Sequence, residues 1–243
     1  MVVSYHRTSH TNSLGLVTPL ICRRLPHGCT NTTAGYAQLV ILTDVQWLMP
    51  APSPADPLEK FRPAIHEFPK VVSTTQKLLK AAQILDIPVF ATTQLRGKLG
   101  ETCPELQLDA PEGVQTKAHV DKSAFSMCVP DLMERFAELG TEKREVVVVG
   151  IESHICVTQT TLDLLKAGHK VYVLADGVSS CNPQEVPIAL ARLRAEGAVV
   201  TTSESWLYEC MGDAGIREFK GMAGVVKEFS KTTRANLEGL CKM

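Results

Sequence analysis

The sequence predicts an α/β fold, a doubly wound (Rossmann-like) parallel sheet with helices on both faces. Apolar runs of strand length recur along the chain, and amphipathic stretches with a helical period lie between them. Runs that are apolar at every position are typical of strands buried on both faces, as in a parallel sheet. The alternation of strands with helices also predicts right-handed crossovers between neighbouring strands.

The apolar runs that predict strands lie at residues 39–43, 87–92, 146–151, 170–175 and 198–201. A shorter extended segment covers residues 115–120. The predicted helices lie at residues 71–85, 132–139, 157–166, 187–196 and 204–211. The first helix carries its apolar stripe at Val72, Leu78, Leu79, Ala82 and Leu85. Such a stripe is typical of a helix that packs against a sheet.

The chain divides into one domain at residues 37–228, an N-terminal extension at residues 1–36 and a C-terminal tail at residues 229–243. The first 43 residues contain no Asp or Glu and only three Arg. Because so polar a stretch buries little apolar surface, residues 1–36 are predicted to be disordered or transit-like. Residues 47–58 are rich in proline, which predicts an inserted loop after the first strand. Its origin stays open between a lid loop, a retained intron and an error in the gene model.

Charge and composition exclude several functional classes. Lys and Arg number 25 against 26 Asp and Glu, a formal net charge of −1, so the chain has no electrostatic footprint for nucleic acid or an anionic membrane. No apolar run approaches the roughly 20 residues that span a bilayer. The eight cysteines form no C-x-x-C pair, which favours a reducing compartment. We expect a cytoplasmic protein. The alternatives are mitochondrial, from residues 1–36, and peroxisomal, because Cys241-Lys242-Met243 loosely resembles a Ser-Lys-Leu signal.

Three reactive side chains follow predicted strands. Asp44 ends the first strand, Lys122 follows the short extended segment, and Cys156 comes shortly after residues 146–151. In open α/β sheets, ligands bind beyond the carboxyl ends of the strands. There a helix N-terminus favours a cysteine thiolate, a carboxylate can take its proton, and a lysine can hold that carboxylate ionised. Taken singly, each residue also has a structural interpretation, as a buried cysteine, a helix N-cap and a solvated lysine.

The other candidate residues are weaker. His154 lies two residues before Cys156 and has two interpretations, substrate orientation or a structural hydrogen bond. The cysteines without a strand-end context are Cys103, Cys128, Cys181 and Cys210. The dinucleotide motif G-x-G-x-x-G, the P-loop and the serine hydrolase elbow G-x-S-x-G are missing from their expected places.

Three short motifs stand in the order and spacing of a known family. They are Asp44-Val45-Gln46, Lys122-Ser123-Ala124-Phe125 and Gly150-Ile151-Glu152-Ser153-His154-Ile155-Cys156-Val157. Through them the chain resembles the isochorismatase-like cysteine hydrolases over roughly residues 38–225. The resemblance is greatest to the branch of isochorismatase domain-containing and YcaC-like proteins. The third motif is specific, whereas Asp-x-Gln alone is weak.

The resemblance implies a six-stranded parallel sheet and a catalytic triad of Asp44, Lys122 and Cys156. It also implies a cis peptide bond between Ile151 and Glu152, which would help to aim the N–H groups of Glu152 and Cys156 as an oxyanion hole. Candidates for the substrate pocket are Phe61, Gln94, Phe125 and His154. Family members are usually dimers or larger assemblies, so we expect a homo-oligomer with a small-molecule substrate.

Two departures from the family pattern bear on the function. The metal-binding nicotinamidases of the family carry Asp-x-His…His after the second strand, where this chain has Thr93-Gln94-Leu95-Arg96-Gly97. We therefore predict no metal, and no cofactor of another kind. The second departure, the insert at residues 47–58, adjoins Asp44 and would be able to block the pocket.

The cysteine itself narrows the reaction. Isochorismate vinyl-ether hydrolases of the family work without it, so Cys156 indicates hydrolysis of a C–N bond in a small amide-like substrate through an acyl-enzyme. Two alternatives stay open. One is an ether hydrolase in which Asp44 is the acid, and the other is an inactive family member that acts as an oligomeric binding protein.

Overall fold

Six parallel strands form one sheet in the part of the chain that the computed structural model describes, residues 39–44, 64–108, 114 and 116–241. They are β1 (Leu39–Asp44), β2 (Val89–Gln94), β3 (Thr116–Lys122), β4 (Glu145–Ile151), β5 (Lys170–Ser179) and β6 (Val199–Thr201). Their order is β3-β2-β1-β4-β5-β6, and each neighbouring pair is parallel. The predicted doubly wound parallel sheet is confirmed. The predicted extension at residues 1–36, the insert at residues 47–58 and Phe61 lie outside the described residues.

Helices cover both faces of the sheet. They are α1 (Phe68–Leu85), α2 (Arg96–Leu99), α3 (Pro130–Ala137), α4 (Thr158–Lys166), α5 (Glu185–Ala195), α6 (Ser203–Met211), α7 (Phe219–Glu228) and α8 (Ser230–Leu240). A short 3₁₀ turn spans Pro104–Leu106, and a π-helical turn spans Ser153–Val157. Within the described residues, none of these helices combines the length and the apolar character that crossing a membrane requires.

Among the described residues, the core consists of two hydrophobic clusters, one on each face of the sheet. Val147 and Val149 of β4 belong to the first cluster, whereas Val146 and Val148 belong to the second. This alternation follows from the two-residue period of a strand. Helices α1, α6, α7 and α8 contribute to the first cluster, and α3, α4 and α5 contribute to the second. Because both faces are covered, β4 is apolar from Val146 to Ile151, which is the pattern that predicted it.

The start of β2 differs from the prediction by two residues. The strand begins at Val89, directly after Pro88, although the apolar run begins at residue 87. Proline lacks the backbone N–H that a ladder hydrogen bond needs, so it stays outside the strand. At its other end β2 continues through Gln94, two residues beyond the predicted end at 92.

β5 extends beyond its apolar run, from the predicted end at residue 175 to Ser179. The run breaks at Asp176, whose carboxylate is fully buried. That carboxylate accepts hydrogen bonds from the backbone N–H of Ser203, at 2.7 Å, and from the Ser203 hydroxyl. A buried polar group with such partners is tolerated inside a strand. Cys181 therefore follows a strand end, and the prediction that it lacks such a context is wrong.

The predicted C-terminal tail at residues 229–243 is also wrong, because α8 occupies residues 230–240 and packs on the first face. The contacts that dock this helix are largely polar. Thr233 Oγ1 accepts a hydrogen bond from Nζ of Lys77 at 2.9 Å, and Nδ2 of Asn236 donates to Oγ1 of Thr74 at 2.9 Å. Apolar periodicity does not detect a helix whose buried face is polar.

Candidate active site

The strand order reverses between β1 and β4, and an open α/β sheet binds its ligand at such a point. Asp44, the last residue of β1, is the register partner of Gly150 in β4. Gly150 has a φ of 128°, a conformation that residues with a side chain rarely adopt. The backbone thus brings the end of β1 beside the segment that leads to Cys156. The side chain of Asp44 lies outside the described part of the structure.

Lys122 ends β3 and is only 4% exposed. Its Nζ donates to Oε1 of Gln94 at 2.6 Å and to the carbonyl oxygens of Ala124 and Phe125 at 3.2 and 3.1 Å. Gln94 ends β2 as the register partner of Lys122, and its Nε2 donates to the carbonyl of Ser123 at 2.7 Å. These bonds hold the ammonium group at the carboxyl edge of the sheet, against the strand next to β1.

A tight turn after β4 carries Cys156. The peptide bond between Ile151 and Glu152 is cis, at the position that the resemblance implies. The N–H of Val157 donates to the carbonyl of Glu152 at 3.1 Å and closes the π-helical turn. This turn runs directly into α4. Cys156 therefore lies near the N-terminus of a helical segment, where the helix dipole favours an anion.

Cys156 is buried, with 8% of its surface exposed, and it belongs to neither of the hydrophobic clusters that the described residues form. Other described cysteines are part of the apolar packing: Cys103 belongs to the first cluster, and Cys128 and Cys210 each pack against a cluster. Burial raises the pKa of Cys128 to about 11 and also raises the pKa of Cys210. These two thiols are therefore protonated at neutral pH and are poor nucleophiles.

His154 and Glu152 connect this turn to the end of β5. Nδ1 of His154 lies 2.9 Å from Oγ of Ser180 and 3.6 Å from Oε2 of Glu152. The backbone N–H of Cys181 donates to the same Glu152 oxygen at 2.9 Å. The Ser180 hydroxyl is fully buried and also shares a hydrogen bond with the Ser153 hydroxyl. His154 thus makes a hydrogen bond to Ser180, and its predicted place in the substrate pocket stays a prediction.

The sequence did not single out Ser180, and it gave Cys181 no strand-end context. Both follow β5, so they lie at the same carboxyl edge as the other candidates. The break in the apolar run at Asp176 hid the strand end that would have revealed them. Placing that end at Ser179 was not possible without the contacts between Asp176 and Ser203.

Phe125 lies in the loop between β3 and α3, and its side chain is 51% exposed. The N–H of Met127 in the same loop donates to Oγ1 of Thr160 in α4, at 2.9 Å. This bond ties the loop that carries Phe125 to the helix that follows Cys156. An exposed aromatic ring offers an apolar contact surface, and its predicted role in the substrate pocket stays a prediction.

The loop after β2 is the place where the nicotinamidases of the family carry a metal-binding motif that this sequence lacks. Asp121 holds this loop in its conformation. Its Oδ1 accepts hydrogen bonds from the N–H of Arg96 at 2.8 Å and from Oγ1 of Thr93 at 3.0 Å. The bond from the Arg96 N–H is the largest of the effects that lower the pKa of Asp121. Nε of Arg96 lies 3.2 Å from Oε2 of Glu101. These polar groups therefore shape the loop.

Comparisons with known proteins agree with this fold. The Isochorismatase domain family matches residues 38–205. The secreted isochorismatase effector Isc1 of Phytophthora sojae (strain P6497) is 37% identical over 176 residues, 72% of this chain and 83% of the relative. Isochorismatase domain-containing protein 1 of Danio rerio is 37% identical over 210 residues, 84% of this chain and 72% of the relative.

A solved structure described as the MAR1 ribonuclease from Caenorhabditis elegans superposes with a TM-score of 0.67 at 32% identity, covering 79% of this chain and 91% of that one. The family match spans all six strands of the sheet. The chain belongs to the isochorismatase-like hydrolase family.

Proposed function

We propose that this chain is a cysteine hydrolase that cleaves the C–N bond of a small amide-like substrate, with Asp44, Lys122 and Cys156 as its catalytic residues. One observation carries the proposal. Cys156 lies near the N-terminus of a helical segment, beside the switch point of the sheet and outside both hydrophobic clusters. A cysteine that only fills space is expected inside a cluster, as Cys103 is.

The proposed reaction has two halves. Asp44 takes the thiol proton of Cys156, and the thiolate attacks the substrate carbonyl to give a tetrahedral oxyanion. The N–H groups of Glu152 and Cys156 stabilise that oxyanion. The C–N bond then breaks, and the proton held by Asp44 passes to the leaving amine. Water attacks the thioester, releases the acid and returns the proton to the cysteine, so one amide and one water give one acid and one amine.

Lys122 acts on the charge of the other two residues. Its ammonium group stabilises a carboxylate on Asp44 and a thiolate on Cys156, since an opposite charge nearby favours an ionised group. The observed bonds from Nζ to Gln94, Ala124 and Phe125 support this role, because they hold the cation in one place before a substrate arrives. A preorganised charge does not have to reorient during the reaction.

The second candidate is a vinyl-ether hydrolase in which Asp44 protonates the substrate. The name of the Phytophthora sojae relative, an isochorismatase effector, favours this candidate. The two candidates differ in their products, because amide hydrolysis releases ammonia or an amine and ether hydrolysis of isochorismate releases pyruvate. They also differ in their need for the thiol.

A product assay separates the two candidates. The full chain is incubated with a panel of small primary amides and with isochorismate, before and after treatment with iodoacetamide. The proposal expects ammonia from at least one amide, and it expects alkylation to abolish that release. Release of pyruvate that survives alkylation, with no amide hydrolysed, would establish the ether hydrolase instead.

The ribonuclease named for the Caenorhabditis elegans structure is not proposed for this chain. Binding of a nucleic acid backbone depends on clustered Lys and Arg. Here Lys and Arg number 25 against 26 Asp and Glu. The expectation that nucleic acid is not a partner stays a prediction.

The reactivity of the cysteines gives a prediction that needs no substrate. We expect iodoacetamide at pH 7 in metal-free buffer to modify Cys156 faster than Cys181, although Cys181 is exposed and Cys156 is 8% exposed. Burial and the neighbouring Glu152 raise the pKa of Cys181, so its thiolate fraction is small. Peptide mapping by mass spectrometry measures both rates. Faster modification of Cys181 would favour the inactive alternative, in which Cys156 is an ordinary thiol.

The same assay tests Lys122. We expect Lys122→Met to slow the alkylation of Cys156 about tenfold or more, since loss of a nearby opposite charge lowers the ionised fraction by at least that factor. Lys117→Met, which removes an exposed charge from the same strand, serves as the control and should leave the rate unchanged. Modification of the buried Cys103 would indicate that the variant has lost its fold. Lys122→Arg keeps the positive charge and therefore separates loss of charge from loss of the lysine itself. Equal rates in folded Lys122→Met and parent protein would remove Lys122 from the proposal.

The expected homo-oligomer stays a prediction. We expect light scattering of the full chain to give a mass of at least twice the 26.5 kDa of one chain. Apolar side chains that are exposed in the single chain, such as Ile188 at 65%, are candidates for burial between subunits. A monomer at micromolar concentration would contradict this expectation without affecting the proposed chemistry.

A further inference from the structure

A cluster of three ligand-type side chains lies at the carboxyl end of β5, on the opposite side of the Cys156 turn from β1. Its members are Glu152 and His154 of the turn and Cys181 after β5, and we name it the β5-end cluster. A carboxylate oxygen, an imidazole nitrogen and a thiol sulfur, one from each residue, all lie within 4.8 Å of one another. Oε2 of Glu152 is 3.6 Å from Nδ1 of His154.

The 3.6 Å between Glu152 and His154 is close to the spacing of two zinc ligands, and the thiol of Cys181 lies within 4.8 Å of both groups. Zinc binds sulfur at about 2.3 Å and nitrogen or oxygen at about 2.0–2.2 Å in a tetrahedron, so two of its ligands lie about 3.4 Å apart. Thiolate, imidazole and carboxylate together favour zinc over the harder ions calcium and magnesium, which take oxygen ligands. Three protein ligands leave the fourth position for water.

We propose that Glu152, His154 and Cys181 bind one Zn²⁺ ion. Binding replaces the proton of the Cys181 thiol by the metal, and the proton passes to solvent. The site differs from the one whose motif is missing, because that motif follows β2 whereas the β5-end cluster joins the turn after β4 to the end of β5. The expectation of no metal rested on the missing motif and did not consider this cluster.

The two contacts of Ser180 allow the ion to enter without leaving its buried hydroxyl unpaired. The Ser180 hydroxyl contacts Nδ1 of His154 at 2.9 Å, but it also shares a hydrogen bond with the hydroxyl of Ser153. When Nδ1 binds zinc, Ser180 therefore keeps Ser153 as its partner. Cys181 is exposed, which gives the ion a path from solvent.

Zinc at this position would fix the backbone that carries Cys156. Glu152 and His154 belong to the turn itself, whereas Cys181 belongs to the segment after β5. A single ion bound to all three would cross-link the two segments on the side away from Asp44. The inference concerns binding and local order, and it stands or fails independently of the proposed hydrolase chemistry.

The test is a titration of the full chain with Zn²⁺ in competition with a chromophoric chelator. We expect the parent protein to bind one more equivalent of zinc than Cys181→Ala, or to bind that equivalent more than about 100-fold more tightly. Loss of a residue that only supports a ligand lowers metal affinity about 10–100-fold, and loss of a ligand itself costs more. Cys128→Ala is the matched control, since it also removes one thiol but lies outside the cluster, and it should bind like the parent. The comparison cancels any binding by histidines and cysteines elsewhere in the chain.

A second measurement identifies the ligands. Cobalt(II) bound to the parent protein should show a thiolate-to-metal charge-transfer band that is lost in Cys181→Ala and retained in Cys128→Ala. His154→Gln should weaken binding and keep the band at saturating cobalt. Cys181→Ser, which preserves size, covers the case in which alanine disturbs the fold. Equal zinc stoichiometry and affinity in the parent and both Cys181 variants would overturn the inference.

Discussion

Replacing Cys156 by alanine is expected to lower the hydrolysis of any amide substrate by at least about 10³-fold in kcat. Removal of the nucleophile from a catalytic triad leaves only the contribution of substrate binding and the oxyanion hole. The substitution removes a single sulfur from a side chain outside both hydrophobic clusters. The fold should therefore survive, and the loss should appear in kcat with little change in thermal stability. Steady-state kinetics with an amide from the product assay measures the effect.

Cys128→Ala supplies the control for this prediction. Cys128 is half-buried against the second cluster, and burial raises its pKa to about 11. Its removal should leave kcat unchanged, although it also deletes one thiol. A Cys156→Ala protein that hydrolyses the same amide within about tenfold of the parent rate would exclude the acyl-enzyme route, because a missing nucleophile costs far more than that.

The second large effect concerns stability and the buried pair of Lys77 and Asp176. Their side chains are 1% and 0% exposed, and Nζ lies 4.0 Å from Oδ2. Burial lowers the pKa of Lys77, while Asp176 and Glu204 act in the opposite direction. Asp176→Asn leaves the lysine buried beside a neutral amide, so we expect it to lower the free energy of unfolding by about 3–5 kcal/mol. Urea unfolding followed by circular dichroism measures the change.

Two comparisons show whether burial causes this effect. Lys80 and Glu228 form an ion pair whose side chains are 49% and 55% exposed, and Glu228→Gln should cost less than about 1 kcal/mol because water screens the pair. The double variant Lys77→Met with Asp176→Asn removes both charges and should recover part of the loss. A cost for Asp176→Asn no greater than that for Glu228→Gln would show that the buried pair does not stabilise the fold.

The part of the carboxyl edge formed by β1 and β4 was predictable because these two strands are apolar along most of their length. Val146 to Val149 predict β4 without ambiguity, so the sequence also locates Cys156 just beyond its end. β1 and Asp44 follow in the same way, and their pairing with β4 through Gly150 agrees with the expected shared edge. The strand order that makes this edge a switch point was not predictable, since it depends on which helices pack on which face.

Polar contacts between distant residues account for what the sequence did not reveal. β5 passes through Asp176 because Ser203, 27 residues later, satisfies the carboxylate. α8 docks through Thr233, which meets Lys77 156 residues earlier in the chain. Such partners carry no local signature, whereas apolar periodicity does. The β5-end cluster was not predicted for the same reason, because Cys181 is recognised as following a strand only when the end of β5 is placed at Ser179.

The central claim is that Cys156 becomes acylated during turnover. The most direct test is to mix the protein with a hydrolysed amide, quench with acid within milliseconds to seconds, and map the modified peptide by mass spectrometry. The account predicts an acyl group of the mass of the substrate acid on Cys156, absent from Cys156→Ala and from samples quenched after the substrate is exhausted. Turnover at the parent rate with Cys156 unmodified at every quench time, or with the acyl group on another residue, would contradict it.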